Sequence, residues 1–375
     1  MKRVICNVGQ GGMCIEDFGS YKVVFDCGTK TRKPEETIGE FFCKSDIIKA
    51  VFISHLDADH VNCLEELIKL CCVERVFIPL ITDMEFALLQ CKNFTLGGAP
   101  LVDFIGKLRD GTVEGTRIIH VQPASFASDD GAEPLDITAD FNLDIREISS
   151  RTEIIIGRGG DDKSHKYSSG HQWVFVPFNF RYDKRHKTLL DELHDLLSNI
   201  NSLGSIPSEL AKRLDKDLLD KLKKFYKEGV PGSINGNSMV VYSGVKYTSC
   251  TCYQHCGNLI SGNMFVNGSA LTIKCGCLYT GDYEAGGPQK WSQLQACYSR
   301  YWDNIGLFQI PHHGSAHNFN NDITLSDATF FVCAGYNNGY KHPHQSVLKH
   351  MISSSKPFFW VNERDESLHI FDIKC

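Results

Sequence analysis

The sequence predicts a mixed α/β protein, and three features point there. Strand-like runs alternate with apolar residues at helical spacing along most of the chain. The N-terminal part opens with short strand-like runs divided by glycine-containing turns. A content of 42% hydrophobic and 22% charged residues is that of an ordinary globular protein, not of a disordered one. At 375 residues the chain can bury a core without disulfide staples, and length alone allows one to three domains. With 39 basic and 45 acidic side chains the net charge is -6, so no global positive field gathers nucleic acid or anionic lipid. Any polyanion has to be held locally.

Taken in order, residues 3–8, 13–18 and 21–25 read as three strands of a meander, and 48–53 as a short apolar strand. A polar loop follows, then a helix over 63–72, where Leu64, Leu67, Ile68 and Cys71 fall on one face. Next come a strand at 75–80, short helices at 84–91 and 101–108, and strands at 143–149 and 153–156. Between 183 and 230 the pattern changes: Leu189, Leu190, Leu193, Leu197 and Ile200, then Leu210, Leu214, Leu218, Leu222 and Phe225, predict a helical hairpin. Gly229 and Pro231 stop its second helix. That helix carries Lys212, Arg213, Lys216, Lys221, Lys223, Lys224 and Lys227 amid Asp215, Asp217, Asp220 and Glu228, a mixture of signs that reads as a solvated face, with a nucleic-acid contact as the alternative. Strands resume at 238–242, 270–279, 305–309, 328–333, 358–361 and 368–373.

The N-terminus lacks the apolar stretch and cleavage site of a signal peptide, and no window approaches the ~18 apolar residues that span a bilayer. A soluble, cytoplasmic protein is the expectation. Its 16 cysteines are then reduced thiols or metal ligands, not disulfides. Cys250, Cys252, His255 and Cys256 precede Cys275 and Cys277 at a distance that a structural zinc site tolerates, but the spacing matches no zinc ribbon, and ordinary cysteines are the favoured reading.

The informative segment is Ser54-His-Leu-Asp-Ala-Asp-His-Val61, where His55, Asp57, Asp59 and His60 occupy a loop between an apolar strand and a helix. Two carboxylates and two imidazoles are costly to bury without partners, and divalent cations satisfy all four. The bland alternative is a solvated turn in which Asp59 caps the helix. Farther along, Asp282 follows an apolar strand, where a carboxylate can serve two ions. Taken alone it is a turn aspartate. His312 and His313 precede Gly-Ser, and His342 and His344 flank Pro343; in isolation these read equally well as loop histidines.

These residues together resemble the metallo-β-lactamase family, whose H-x-H-x-D-H motif appears with Asp57 in place of the second histidine. That variant is similar to the ComEC-type DNA-uptake domains and to bacterial phosphorylcholine esterases. Further matches run in order: Val8-Gly-Gln-Gly11, Val24-Phe-Asp-Cys-Gly28, Asn235-Gly-Asn-Ser238, Tyr279-Thr-Gly-Asp282, Pro311-His-His-Gly-Ser315 and Tyr340-Lys-His-Pro-His344. The resemblance implies an αββα sandwich over 1–375 as one domain, with 183–230 inserted in it.

It also implies two divalent ions, zinc or manganese. His55 and Asp57 would hold one, Asp59, His60 and His313 the other, and Asp282 both. Asp59, His312 and His342 would be the catalytic positions, with His312 facing the scissile phosphate and His342 near the leaving group. Asp26 is expected to order its loop by hydrogen bonds. A further metal-binding histidine common in the family has no convincing counterpart here; His171 is the one candidate. Asp57 makes the first position richer in oxygen, which shifts preference toward manganese. The expected activity is phosphodiester hydrolysis, with DNA or another phosphodiester as substrate and a bridging hydroxide as nucleophile. The alternatives are a hydrolase of another ester or a lactone on the same scaffold, and a noncatalytic binding protein.

Overall fold

The computed structural model describes residues 1–81, 86, 89, 99–124, 133–138, 145–156, 172–180, 238–246, 251–256, 258–261, 264–267 and 272–374. The helical hairpin expected over 183–230, most of the helix expected over 84–91, His171, Cys250 and residues 235–237 lie outside them.

Two β-sheets face one another. In the first, Lys2–Ile5, Met13–Asp17 and Lys22–Cys27 form the expected antiparallel meander, and Ile47–Phe52, Arg75–Pro79 and Arg117–Val121 continue it in parallel. In the second, Trp173–Phe178, Val240–Val245 and Gly276–Tyr279 pair antiparallel, after which Ile305–Gln309, Thr329–Cys333 and Phe358–Val361 run parallel.

Strand periodicity explains the layers. Along Lys22–Cys27, Val23 and Phe25 point to the space between the sheets and Val24 to the outer face; along Ile47–Phe52, Ala50 and Phe52 point inward and Val51 outward. Both faces are apolar because both are covered. Between the sheets Phe25 stacks on Tyr279 with ring centroids 3.8 Å apart and on Phe52 at 5.5 Å, and Phe52 stacks on Phe77 at 4.7 Å. Each such ring contributes about 1.5–3 kcal/mol by burial.

The outer face of the first sheet is covered by the helices Pro34–Phe41, Leu64–Leu70 and Ala99–Asp110 through Ile38, Leu64, Leu67, Phe104, Ile105 and Leu108. Pro288–Cys297 and Gln345–Ser353 cover the second through Trp291, Leu294, Val347 and Met351. Helix layer, sheet, sheet, helix layer is the αββα sandwich that the resemblance implies.

Residues 270–279, expected as one strand, divide in two. Thr272–Lys274 belongs to the first sheet and Gly276–Tyr279 to the second, so the chain changes sheets at Cys275. Close backbone packing permits this: a Cβ on Gly306 would lie 1.8 Å from the Lys274 carbonyl oxygen, so only glycine fits where the strands converge. Cys275 and Cys277 are buried in the core between the sheets, as ordinary thiols would be. Of the strand expected over 143–149, residues 143 and 144 lie outside the described residues, and the strand described is Glu147–Ile148. Among the described residues no helix is long and apolar enough to cross a membrane.

Candidate metal centre

Parallel strands of both sheets end at one place. Lys22–Cys27 delivers Asp26, Ile47–Phe52 leads to Ser54 and His55, Gly276–Tyr279 leads to Asp282, and Ile305–Gln309 leads to His312 and His313. Loops at the carboxyl ends of parallel strands are where open α/β sheets place their chemistry. The structure therefore brings together side chains far apart in the chain, such as His55 and His313, 258 positions apart.

The loop after Ile47–Phe52 turns into the short helix Ala58–Val61, whose entry residue Asp57 is extended and makes no side-chain cap. Asp59 is buried and does not act as a helix cap, so the solvated-turn alternative does not describe this loop. Glycine motifs hold the loop down. Gly12 N–H donates to the Asp59 carbonyl at 3.0 Å, and a Cβ on Gly28 would meet the Asp59 carbonyl carbon at 2.4 Å. Asp26, His312 and His313 all adopt left-handed backbone, with φ of 53°, 49° and 53°. Such conformations are costly for non-glycine residues and gather where function over-determines the backbone.

Each of three imidazoles is tied back through Nδ1. His60 Nδ1 bonds Asp26 Oδ2 at 2.8 Å, and His313 Nδ1 bonds the Cys333 carbonyl at 2.7 Å. Neither acceptor can donate, so both Nδ1 atoms carry the hydrogen. His55 Nδ1 meets Ser54 Oγ at 3.0 Å and Ser238 Oγ at 3.1 Å. The Ser54 hydroxyl donates to Asp26 Oδ2 at 2.9 Å and so is left to accept from His55, while the Ser238 hydroxyl, which accepts from Asp282 N–H, can either donate to His55 Nδ1 or accept from it; these contacts fix the ring and leave both tautomers open. Asp26 thus orders the loop by hydrogen bonds, as expected, taking Ser54 N–H and Oγ–H as well as His60.

The free Nε2 atoms converge. His60 Nε2 lies 3.4 Å from His313 Nε2 and 3.3 Å from Asp282 Oδ1; His313 Nε2 lies 3.3 Å from Asp59 Oδ2. His55 Nε2, buried and without a hydrogen-bond partner, lies 3.5 Å from Asp282 Oδ2 and 3.8 Å from Asp57 Oδ2. Donor atoms of His55, His60 and Asp282 fall within 4.8 Å of one another, as do those of Asp59, His60 and His313. His60 touches both groups, whereas the resemblance assigns it to one.

Lone pairs facing lone pairs and carboxylate oxygens at these distances repel unless a proton or a metal cation lies among them. Without metal, protons take that place. Burial lowers the His60 pKa, but the Asp26 and Asp282 carboxylates outweigh it and hold the imidazole well above its usual range; His313 is likewise raised, against burial, by Asp282 and Asp59. Burial favours neutral Asp59 and Asp282, yet the surrounding histidines hold both well below the usual carboxylate range. Burial, helped by the neighbouring His60, pushes His55 down to about 4. Nitrogen and oxygen donors so oriented, with second contacts fixing each ring, fit divalent transition metals.

His312 Nε2 lies 3.4 Å from Asp282 Oδ2, and the His312 and His342 rings meet edge-on at 5.9 Å. Burial lowers the pKa of both, His342 to about 4 with help from His312. His344 instead caps the helix Gln345–Ser353, accepting from Ser346 N–H. The sequence reading missed Lys30, whose Nζ reaches Asp59 Oδ1 at 2.8 Å, and the tying roles of Ser54 and the Cys333 carbonyl. Lys30 sits two residues beyond Gly28, which is the sole sequence signal for it.

No protein-family model matches the sequence, and no curated protein matches it. Among solved structures the chain is similar to human tRNase Z, short form, at 12% identity with a TM-score of 0.25, over 48% of this chain and 61% of that one. The chain thus spans less than two thirds of that structure's length.

Proposed function

We propose that this protein is a metal-dependent hydrolase of phosphodiesters, working with two divalent ions, zinc or manganese. The observation that carries the reading is the convergence of three Nδ1-tethered imidazoles with Asp59 and Asp282 in one buried place. His55, Asp57 and Asp282 would hold one ion, and Asp59, His60, His313 and Asp282 the other. The motif order, similar to ComEC-type domains, supports the same reading.

A metal pair so held supplies a water of lowered pKa and positive charge for the phosphate oxygens. The residues of the chain supply orientation. Asp26 and the Cys333 carbonyl hold two rings in the tautomer whose Nε2 faces inward. Asp282, fixed by donation of its N–H to Ser238 Oγ at 3.0 Å, presents oxygens toward both groups of donors. His312, beside Asp282 and not in either donor group, donates to a nonbridging phosphate oxygen as its charge grows. His342, packed on His312, stands on the leaving-group side.

The test is metal content together with hydrolysis of bis-p-nitrophenyl phosphate after loading with manganese or zinc. Asp59→Ala and Asp282→Ala should lose bound metal and turnover while circular dichroism stays unchanged; unchanged turnover in either removes the two-ion assignment. His312→Ala should lower kcat by about 100- to 1000-fold, the usual cost of one oxyanion donor, with metal content kept. A His312→Ala protein that loses metal instead would make His312 a ligand. Wild-type protein that binds neither ion and stays inert would point to a noncatalytic binding protein.

A further inference from the structure

Beside the candidate metal centre the loop after Thr329–Cys333 carries a largely exposed aromatic ring. Tyr340 is 64% exposed. Its ring lies nearly parallel to that of His342, with an interplanar angle of 16° and centroids 6.0 Å apart. His342 meets His312, and His312 reaches Asp282, so a chain of rings runs from the surface to the carboxylate at the centre. Lys30 Nζ stands 6.0 Å from the Tyr340 ring centroid while bonding Asp59 Oδ1 at 2.8 Å. A cation and a largely exposed tyrosine ring therefore lie together beside the centre.

Tyr336, four residues earlier, shows what a satisfied exposed tyrosine looks like. Arg364 covers its ring at 3.6 Å, and Trp360 stacks on it at 5.9 Å. Tyr340 has the looser arrangement and the greater exposure, 64% against 44%. One exposed tyrosine is ordinary by itself; what sets Tyr340 apart is its place beside Lys30 and, through His342 and His312, beside Asp282.

We propose that Tyr340, with Lys30 beside it, is a nucleobase-stacking platform, and that the substrate of the centre is single-stranded nucleic acid whose base next to the scissile phosphate lies on the Tyr340 ring. The proposal rests on the phosphodiesterase reading of the centre. Its chemistry follows from what each group can recognise. Lys30 attracts a phosphate, and Tyr340 accepts the flat face of any base, a contact worth about 1–3 kcal/mol that does not depend on sequence. In a duplex both faces of an internal base are already stacked on neighbours, so only a single strand or an opened end offers one. With a net charge of -6 the chain cannot gather a polyanion by charge alone, and stacking supplies what its overall electrostatics lack.

The test uses the full chain with manganese added and phosphorothioate-linked single strands of about ten nucleotides, a typical span for such sites, so that cleavage does not interfere. Fluorescence anisotropy compares oligothymidylate, the same backbone without bases, and a duplex of equal length. Oligothymidylate should bind about 5- to 150-fold more tightly than the abasic strand, the fold-change that one stacked base gives. Tyr340→Ala should erase that preference and Tyr340→Trp should keep it, while Lys30→Ala should weaken both single strands alike. Equal binding of base-bearing and abasic strands by the wild type, a preference that survives Tyr340→Ala, or duplex bound as tightly as single strand would overturn the platform. A base preference that depends on Tyr340 in a protein unable to cleave any phosphodiester would uphold the platform and remove the phosphodiesterase reading instead. Replacing oligothymidylate by oligouridylate separates DNA from RNA.

Discussion

Two of the buried charge clusters among the described residues are built on opposite rules. Around Glu16 every charge is answered by the protein: Arg3 Nε and Nη2 donate to Oε1 at 2.8 and 2.7 Å, Tyr279 Oη–H adds a third donor at 3.0 Å, Ser243 Oγ–H donates to Oε2 at 2.7 Å, and Arg3 Nη1 reaches the Cys275 carbonyl at 2.8 Å. Around Asp282 the framework ties the back of each ring and leaves the front atoms confronting one another, His60 Nε2 against His313 Nε2 at 3.4 Å. The first cluster is closed and holds the sheets together. The second gathers donor atoms that a divalent cation could hold. A buried ionic network whose hydrogen bonds all end within the protein reads as structure, and one that aims several acceptors at a common point reads as a binding site.

The largest effect that this contrast predicts is on stability. Glu16→Ala leaves Arg3 buried without its counter-charge and should cost about 3–5 kcal/mol in urea unfolding. Arg3→Met combined with Glu16→Leu should recover part of that, since the unpaired charge is gone although Tyr279 and Ser243 lose their acceptor. A loss below about 1 kcal/mol for the single variant, the size of an ordinary surface change, would mean that the network is not the clamp its geometry indicates.

A smaller effect distinguishes the second cluster. Asp26→Asn keeps a residue that tolerates left-handed backbone, but one carboxylate oxygen becomes an NH2 group, and the one oxygen left cannot accept from both Ser54 N–H and His60 Nδ1–H. Metal affinity, measured by competition with a chromophoric chelator, should fall about 10- to 100-fold, as when other outer partners of ligand histidines are removed. Unchanged affinity would show that His60 needs no tether and that the back-side contacts are packing alone.

The two clusters were unequally legible. His55, Asp57, Asp59 and His60 lie within one loop, where spacing alone suggests a metal, and Asp282 and His313 are recognisable because short motifs surround them. The atoms that complete the geometry leave no such trace. A backbone carbonyl at Cys333 has no side-chain identity to read, and Lys30 is one of 39 basic residues. The left-handed turns at His312 and His313 occur without glycine at those positions. The Arg3–Glu16 pair joins neighbouring strands with no pattern beyond two charges inside apolar runs. In the fold, alternation locates most strands but not Arg117–Val121, Trp173–Phe178, Thr251–Cys256, Asn258–Ser261 or Met264–Asn267, nor the helices Pro34–Phe41 and Pro288–Cys297, although both helices begin with proline in the first turn. The change of sheet at Cys275 depends on Gly306, 31 residues away, and could not be read locally.

The smallest effect contrasts two kinds of buried imidazole. In the metal centre carboxylates raise His60 and His313, so their pairing stabilises the metal-free fold below the unfolded value of 6.5 and is lost as pH rises through their folded values. His369 behaves in the opposite sense. It stacks on Phe359 with centroids 3.9 Å apart, and burial pushes it down to about 3. The unfolded chain then takes up a proton that the folded chain excludes between 6.5 and about 3, so acidification through this window destabilises the fold. The slope is about 1.4 kcal/mol per pH unit. His369→Phe removes the titration, and any cost of fitting the larger ring is independent of pH. The stability difference between wild type and variant should therefore shift in favour of the variant by that amount for each unit below about pH 6.5, the ordinary value for histidine. Because the metal-centre histidines titrate identically in both proteins, they cancel in the difference. A difference that stays flat from neutral to mildly acidic pH would mean that His369 accepts its proton in the folded state, and the contrast between core and centre would fail at that residue.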